Sequence, residues 1–358
     1  MSQTTSAIRL LTASGALETL FTCSQQVSYV RMNQGRLRPL GENVVFAMER
    51  SIGAFAGIGN TPLVELQRVR SKNGARIVAK LEWANPTGSM KDRMARTAIE
   101  GAVRDGRLQP GGTVVEYTAG TTGISLAFVC AALGYGLHVV FSDAFSEEKR
   151  RTMMAFGAIV EDIPSDGGQI TESLIKAMIA RAGQIASQPG MWWCDQLNNH
   201  DAITGYITMG EEIWTQTAGR VDAFVHTVGT AHSLHGVARA LRNHNSKVKI
   251  IAVEPSESAV LSGGPSGANR IEGIGIGFIP PLWEPDQVDE IQTVSADDAM
   301  AMARRLAKEE GLFAGTSSGA NVVAAIRIAD RLGPESTVAT ILCDSGLRYL
   351  STELYRNH

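Results

Sequence analysis

The chain has 358 residues, 44% hydrophobic and 19% charged, with a formal net charge of −3. That length provides for about two domains with a sizeable buried core, and a near-neutral balance without a long basic run excludes the electrostatic footprint of a nucleic-acid or anionic-membrane binder. Four dispersed cysteines (Cys23, Cys130, Cys194, Cys343) form no Cys-x-x-Cys pair, which argues for a reducing compartment over a disulfide framework or structural zinc, and no apolar run reaches the ~18 residues of a membrane span.

Residues 1–50 are rich in Ser, Thr and Gln and show little clean periodicity. Up to residue 40 they carry four arginines (Arg9, Arg31, Arg36, Arg38) and one acid, Glu18. A transit peptide has that bias, as do loose tails, and globular patterning begins near Met48. The expectation is an extension outside the core.

From Ile58 onward, short apolar runs alternate with helical patterns. Strands are expected over 77–83, 113–118, 137–142, 158–163, 223–228, 249–254 and 338–343. Several are nearly continuous Val/Ile/Phe runs, as in strands covered on both faces. Helices are expected over 92–108, over 124–133 ahead of Gly134, and over 147–156 behind Ser146 as N-cap. Ser295 to Asp298 resembles a capping box before a helix over 299–310, which Gly311 stops. A last helix is expected over 321–332, before Gly333 and Pro334. This alternation predicts an α/β fold with parallel sheets and helices on both faces. Active sites in such sheets lie at the carboxyl ends of the strands, and the glycine- and hydroxyl-rich segments fall there.

Asn85-Pro86-Thr87-Gly88-Ser89-Met90-Lys91-Asp92-Arg93 joins a strand to a helix. Asn85, Pro86 and Gly88 break the chain, so Lys91 can be presented to a carbonyl ligand; the alternative is an ordinary surface lysine. After the strand over 113–118, Thr118-Ala119-Gly120-Thr121-Thr122-Gly123 opens a helix. It reads as an anion site for a carboxylate or phosphate, or as a Gly/Thr turn capped by threonine. Gly229-Thr230-Ala231-His232-Ser233 repeats the arrangement as a phosphate cradle, without the Gly-Lys-Ser/Thr of a Walker motif. His232 and His235 lack a third ligand at suitable spacing, so no metal is expected. Gly273-Ile-Gly-Ile-Gly277 is followed by Pro280 and Pro281 rather than by a helix, which argues against a dinucleotide turn and for a loop lining a cleft. Gly315-Thr-Ser-Ser-Gly319 opens a helix, with Ser317 or Ser318 either as N-cap or as a hydroxyl aimed at a ring nitrogen. Asp344-Ser-Gly-Leu-Arg-Tyr349 follows the last strand.

Taken together, these motifs resemble the cysteine synthase (O-acetylserine sulfhydrylase) and cystathionine β-synthase family, fold type II of the pyridoxal 5′-phosphate (PLP) enzymes. The resemblance runs from about residue 58 to 353 and begins at Gly59-Asn-Thr-Pro-Leu63. It implies a tryptophan synthase β-like fold of two open, twisted, mostly parallel-sheet domains with helices on both faces. Residues 51–84 plus 196–358 would form the large PLP-binding domain and 85–195 a smaller mobile domain, with 1–50 outside both.

The resemblance also implies roles. Lys91 would form the Schiff base with PLP. Thr118, Ala119, Gly120 and Thr122 would bind the amino-acid carboxylate, with Gln196 near it. Gly229, Thr230, Ala231, His232 and Ser233 would hold the 5′-phosphate, Ser317 would meet the pyridine nitrogen, and Gly275 would lie in the entrance loop. Thr121 stands where the family has an asparagine near the cofactor's phenolic oxygen, and Ala119 where it has a serine. Ala231, His232 and Ser233 replace Gly-Gly-Thr. The implied reaction is β-replacement on an O-activated L-serine, O-acetylserine foremost, by sulfide, through an aminoacrylate to L-cysteine. Cystathionine-forming condensation, β-cyanoalanine formation and serine or threonine elimination are the alternatives, and a non-catalytic PLP-fold binding protein is a further one. The implied protein is a cytoplasmic homodimer acting on small molecules, without nucleic-acid or membrane partners and without a C-terminal regulatory domain.

Overall fold

The computed structural model describes residues 53–356 and, before them, the backbone of four strands between residues 6 and 39. The chain divides into two compact units, Met1–Gly57 and Ile58–His358. In the first, β1 (Ser6–Thr12), β2 (Gly15–Phe21), β3 (Tyr29–Arg31) and β4 (Leu37–Pro39) form an antiparallel sheet in chain order, with Ser6 opposite Phe21 and Thr12 opposite Gly15. The extension expected over 1–50 otherwise lies outside the described residues.

The second unit runs β5 (Leu63–Glu65), β6 (Arg76–Leu81), α1 (Lys91–Arg104), β7 (Thr113–Tyr117), α2 (Thr121–Leu133), β8 (Gly136–Ser142), α3 (Glu147–Ala155), β9 (Ile159–Ile163), α4 (Glu172–Ala186), β10 (Met191–Trp193), α5 (Asp201–Gln216), β11 (Ala223–Thr227), α6 (His232–His244), β12 (Lys249–Pro255), β13 (Glu290–Val294), α7 (Ala296–Arg305), α8 (Thr316–Leu332) and β14 (Thr337–Leu342). Six strands form a sheet in the order β13-β12-β11-β14-β6-β5, parallel except for β5. Four more form a parallel sheet, β10-β7-β8-β9.

Strand alternation shows both faces of the larger sheet covered. Ile77, Ala79, Ala223, Val225, Ile251 and Val253 pack against α7 and α8 through Met300, Ala303, Val322 and Ile328. Val78, Phe224, Ile250 and Ala252 face the other way, onto Met94, Tyr206, Met209, Leu234 and Leu241. Each fully buried aliphatic or aromatic side chain contributes about 1.5–3 kcal/mol.

All seven expected strands are present, with ends shifted by at most two residues. The short edge strands β5, β10 and β13 were not anticipated. Helix ends differ more. The helix expected over 92–108 stops at Arg104. Ser295 Oγ accepts Asp298 N–H as a cap, but the helix starts at Ala296 and ends in a π turn, Leu306–Glu310, before left-handed Gly311. Ser146 stands at the start of α3, yet its hydroxyl donates to Arg348 O instead of capping. The helix expected from residue 321 begins at Thr316, so Ser317 and Ser318 lie inside its first turn and neither caps it. Among the described residues, no helix is long and apolar enough to cross a membrane.

Candidate active site

Loop 85–90 carries Lys91 to the carboxyl end of the larger sheet. Asn85 Oδ1 accepts Gly59 N–H (2.9 Å) and its Nδ2 donates to Glu82 O (2.8 Å). Met90 N–H donates to Cys343 O (3.0 Å) and Ser345 N–H to Gly88 O (3.1 Å), which clamps the loop onto the residues after β14. Gly88 turns the chain at φ +77°, a region open to glycine. Arg93, in the same helical turn as Lys91, grips two carboxylates. Its Nε and Nη2 donate to Glu82 (2.8 and 2.9 Å), and its Nη1 and Nη2 to Glu212 (2.8 Å each). Such paired forks hold the start of α1 in one place. Lys91 Nζ takes no hydrogen-bond or ion-pair partner among the described residues. Burial pushes its ammonium below the ordinary range, opposed in part by Asp344. An amine that sheds its proton is a nucleophile for a carbonyl.

On the smaller sheet, β7 ends at Tyr117 and the chain turns through residues 118–120 into α2. Thr118 Oγ1 accepts the N–H groups of Gly120 (2.9 Å) and Gly123 (3.2 Å). The N–H groups of Thr121 and Thr122 keep the unpaired state of a helix start, suited to an anion. Gly120 has φ +113°, and a Cβ there would lie 2.5 Å from the Lys149 side chain. Gln196 closes the other side. Its N–H donates to Glu116 Oε2 (2.9 Å), its Nε2 to Tyr117 O (2.8 Å), and its Oε1 accepts from Thr122 Oγ1 (3.0 Å).

Beyond β11, loop 228–231 leads into α6. A Cβ on Gly229 would meet Gly273 O at 2.5 Å, so only glycine lets the two loops touch. Ala231, at the start of α6, has φ +71°, a left-handed conformation that costs a non-glycine residue about 1–2 kcal/mol. Thr230 Oγ1 lies 2.8 Å from His232 Nδ1, and Ser233 Oγ lies 2.8 Å from His226 Nε2. His226 rises from β11 beneath the loop. Its Nδ1 is 3.2 Å from Asn321 Nδ2. Asn321 belongs to α8 and fills the gap where β11 and β14 part, past their last pair, Val225 and Thr340. Its Oδ1 accepts Thr227 N–H and its Nδ2 donates to Ile341 O, both at 2.7 Å. Burial, with the nearby Lys91 charge, pushes His226 and His232 down to about 3, so both rings are neutral at pH 7. His235 points elsewhere, its Nε2 accepting Glu284 N–H (3.1 Å).

Ser317 is buried in the first turn of α8 near Cys343, whose N–H donates to Ser318 Oγ (2.9 Å) and whose thiol takes Asn321 Nδ2 (3.5 Å). Burial pushes that thiol up to about 12, so it stays protonated. Tyr349 OH donates to Asp344 Oδ2 (2.8 Å). Lys149, from α3, reaches Glu272 and lies over the Tyr349 ring.

Lys91, Thr118, Ala119, Thr121, Thr122, Gln196, Gly229, Thr230 and Gly275 line one cleft at the carboxyl ends of the two sheets. Gly120, Ala231, His232, Ser233 and Ser317 are not among its lining residues and stand one layer back, buried. The family described as "Pyridoxal-phosphate dependent enzyme" matches residues 54–344. The chain belongs to the pyridoxal-phosphate dependent enzymes. A cysteine synthase of Staphylococcus aureus (strain Mu50) is 43% identical over 300 residues, 83% of this chain and 95% of that protein. The structure of a cysteine synthase (OASS) from Entamoeba histolytica matches at TM-score 0.79 and 37% identity, over 86% of this chain and 91% of that one. An O-acetylserine dependent cystathionine β-synthase from Helicobacter pylori matches at TM-score 0.79 and 35% identity, over 85% and 98%.

The residues present fit the family's cofactor. A partnerless, partly buried amine, Lys91, suits its aldehyde. The start of α6 with two hydroxyls suits its phosphate, and a neutral hydroxyl, Ser317, suits its ring nitrogen. Three contributors to the site were not read from the sequence. Lys149 sits in the charge run Glu147-Glu-Lys-Arg-Arg151, which reads as a solvated face, yet its side chain is 1% exposed. His226 interrupts an apolar strand run, and Asn321 looks like a polar helix residue; neither pattern marks a ligand-facing role.

Proposed function

We propose that this chain replaces the acetoxy group of O-acetyl-L-serine with sulfide, giving L-cysteine and acetate. The observation that carries this reading is the single cleft wall formed by Lys91, the 118–122 loop and Gln196, in a chain 43% identical to a cysteine synthase. Bound PLP supplies an electron sink that lets an amino acid lose its α-proton and then its β-substituent.

The chain's residues do the rest. The N–H groups of Thr121 and Thr122 and the hydroxyls nearby bind the substrate carboxylate, and Gln196 braces Thr122 from behind. Lys91 Nζ, its pKa lowered by burial, takes the Cα proton as general base. Thr230 and Ser233 hold the cofactor's phosphate at the start of α6. Ser317 offers the ring nitrogen a hydroxyl, a weaker acid than a carboxylic group, which favours departure of the β-group over prolonged carbanion chemistry. Residues 85–195 close over bound substrate as a smaller mobile domain and exclude water. The protein acts as a cytoplasmic homodimer, in line with three buried free cysteines among the described residues.

Purified protein loaded with PLP is expected to change its visible absorbance when O-acetylserine is added, to regain it with sulfide, and to release cysteine. No spectral change with O-acetylserine refutes the reading. Cystathionine formed from serine and homocysteine, or pyruvate as the main product, assigns a sister reaction instead.

A further inference from the structure

We propose that His226 is a positioning residue for the cofactor's phosphate: held as one tautomer, it donates to Ser233 Oγ and turns the serine's own proton outward as a donor. The inference rests on the reading of residues 229–233 as the phosphate loop.

The tautomer follows from a chain of hydrogen bonds. Asn321 Oδ1 accepts Thr227 N–H at 2.7 Å, which settles which end of the carboxamide is oxygen. Its Nδ2 therefore faces Ile341 O (2.7 Å), His226 Nδ1 (3.2 Å) and the softer acceptor Cys343 Sγ (3.5 Å). An amide nitrogen only donates, so Nδ1 accepts. A neutral imidazole that accepts at Nδ1 carries its hydrogen at Nε2. The ring is fully buried and beside the Lys91 charge, so it is neutral. Nε2–H then points at Ser233 Oγ, 2.8 Å away. A serine hydroxyl has one hydrogen and two lone pairs. With one lone pair engaged from below, its hydrogen is left for a ligand above. Were the ring the other tautomer, Ser233 would donate inward and present lone pairs to an anion. The serine stands in the first turn of α6, where exposed N–H groups already favour negative charge.

A ring that merely filled space beside Phe224, 5.8 Å away, would predict none of the following. The full chain, with ¹⁵N-labelled histidine and loaded with PLP, is examined at pH 7, the His226 signals being assigned by their absence in His226→Gln. Hydrogen on Nε2 is expected; hydrogen on Nδ1 overturns the inference even if His226→Phe does not fold. Dissociation constants are then measured for PLP and for pyridoxal, which lacks the phosphate. His226→Phe is expected to weaken PLP about tenfold, the loss of one charge-assisted hydrogen bond, and to change pyridoxal less than about twofold. His226→Gln, which keeps a donor and an acceptor, recovers most of the loss. In a Ser233→Ala background His226→Phe costs nothing further. Equal losses for both ligands, or a full additional loss without Ser233, overturn the inference. If Thr230→Val and Ser233→Ala leave the preference for PLP over pyridoxal intact, the phosphate-loop reading itself has failed, and this inference with it.

Discussion

The Lys149 ammonium lies 4.5 Å from the centre of the Tyr349 ring. It also bonds Glu272, whose side chain is only 14% exposed. Lys149 comes from the helix before β9 of the smaller sheet, whereas Glu272 and Tyr349 belong to loops beside the larger one. Lys149→Met leaves a nearly buried carboxylate without its cation, and is expected to destabilise the protein by about 3 kcal/mol. Urea unfolding checks this. The double variant with Glu272→Gln should regain most of the loss, since the penalty lies in the stranded charge.

Arg93 is expected to tolerate no replacement, including lysine. Its guanidinium serves Glu82 and Glu212 with four donor contacts between 2.8 and 2.9 Å. A lysine offers one point charge and cannot span both carboxylates. Arg93→Lys should cost about 3–5 kcal/mol. Because Lys91 is one helical turn's start away, the variant should also capture PLP more slowly, as followed by absorbance.

Lys91 should be expensive for stability in the absence of cofactor. Its folded pKa lies below the unfolded value of 10.5, so below that pH the unfolded chain binds a proton that the folded chain resists. Stability therefore rises with pH toward 10.5. Cofactor-free Lys91→Met is expected to be about 1–3 kcal/mol more stable than the parent at pH 7, a gap that narrows as pH approaches 10.5. Denaturation at pH 7 and pH 9.5 measures it. The same variant should have no detectable turnover, and retained activity would contradict the assignment of the base.

Acid should weaken the fold through its histidines. His226 and His232 are pushed to about 3, and His235 to about 4, from 6.5. As pH falls below 6.5 the unfolded state takes up protons that the folded state refuses, so stability is lost, by about 1.4 kcal/mol per pH unit for each group. Urea titrations at pH 7, 6 and 5 should show a shallower decline in His226→Gln than in the parent.

The sheet core was legible because it repeats one physical demand. Val225, Ile251 and Ile77 must be apolar to lie under helices, and such runs stand out in any sequence. Edge strand β13 did not, because Glu290, Gln292 and Thr293 are half in water and read as loop. Lys91 and the 118–123 turn were legible through their breakers and hydroxyls. The layer behind them was not. Whether Ser317 caps a helix or faces inward depends on where α8 begins, one turn earlier than its apolar pattern indicates. His226 and Asn321 gain meaning only when two strands 115 residues apart in sequence, as Val225 and Thr340 are, come together.

Ser317 and Asn321 are four residues apart on α8, hence on one face, about one turn from each other. Ser317 stands near Cys343, and Asn321 hydrogen-bonds His226, which in turn reaches Ser233. On the proposed assignment the helix works as a ruler: its pitch sets the distance between the groups that would meet the cofactor's ring and its phosphate. Lengthening this segment by a single residue would swing Asn321 by about 100°, parting these groups without altering any of them. Insertions within the first turns of α8 should therefore be far more damaging than most substitutions there.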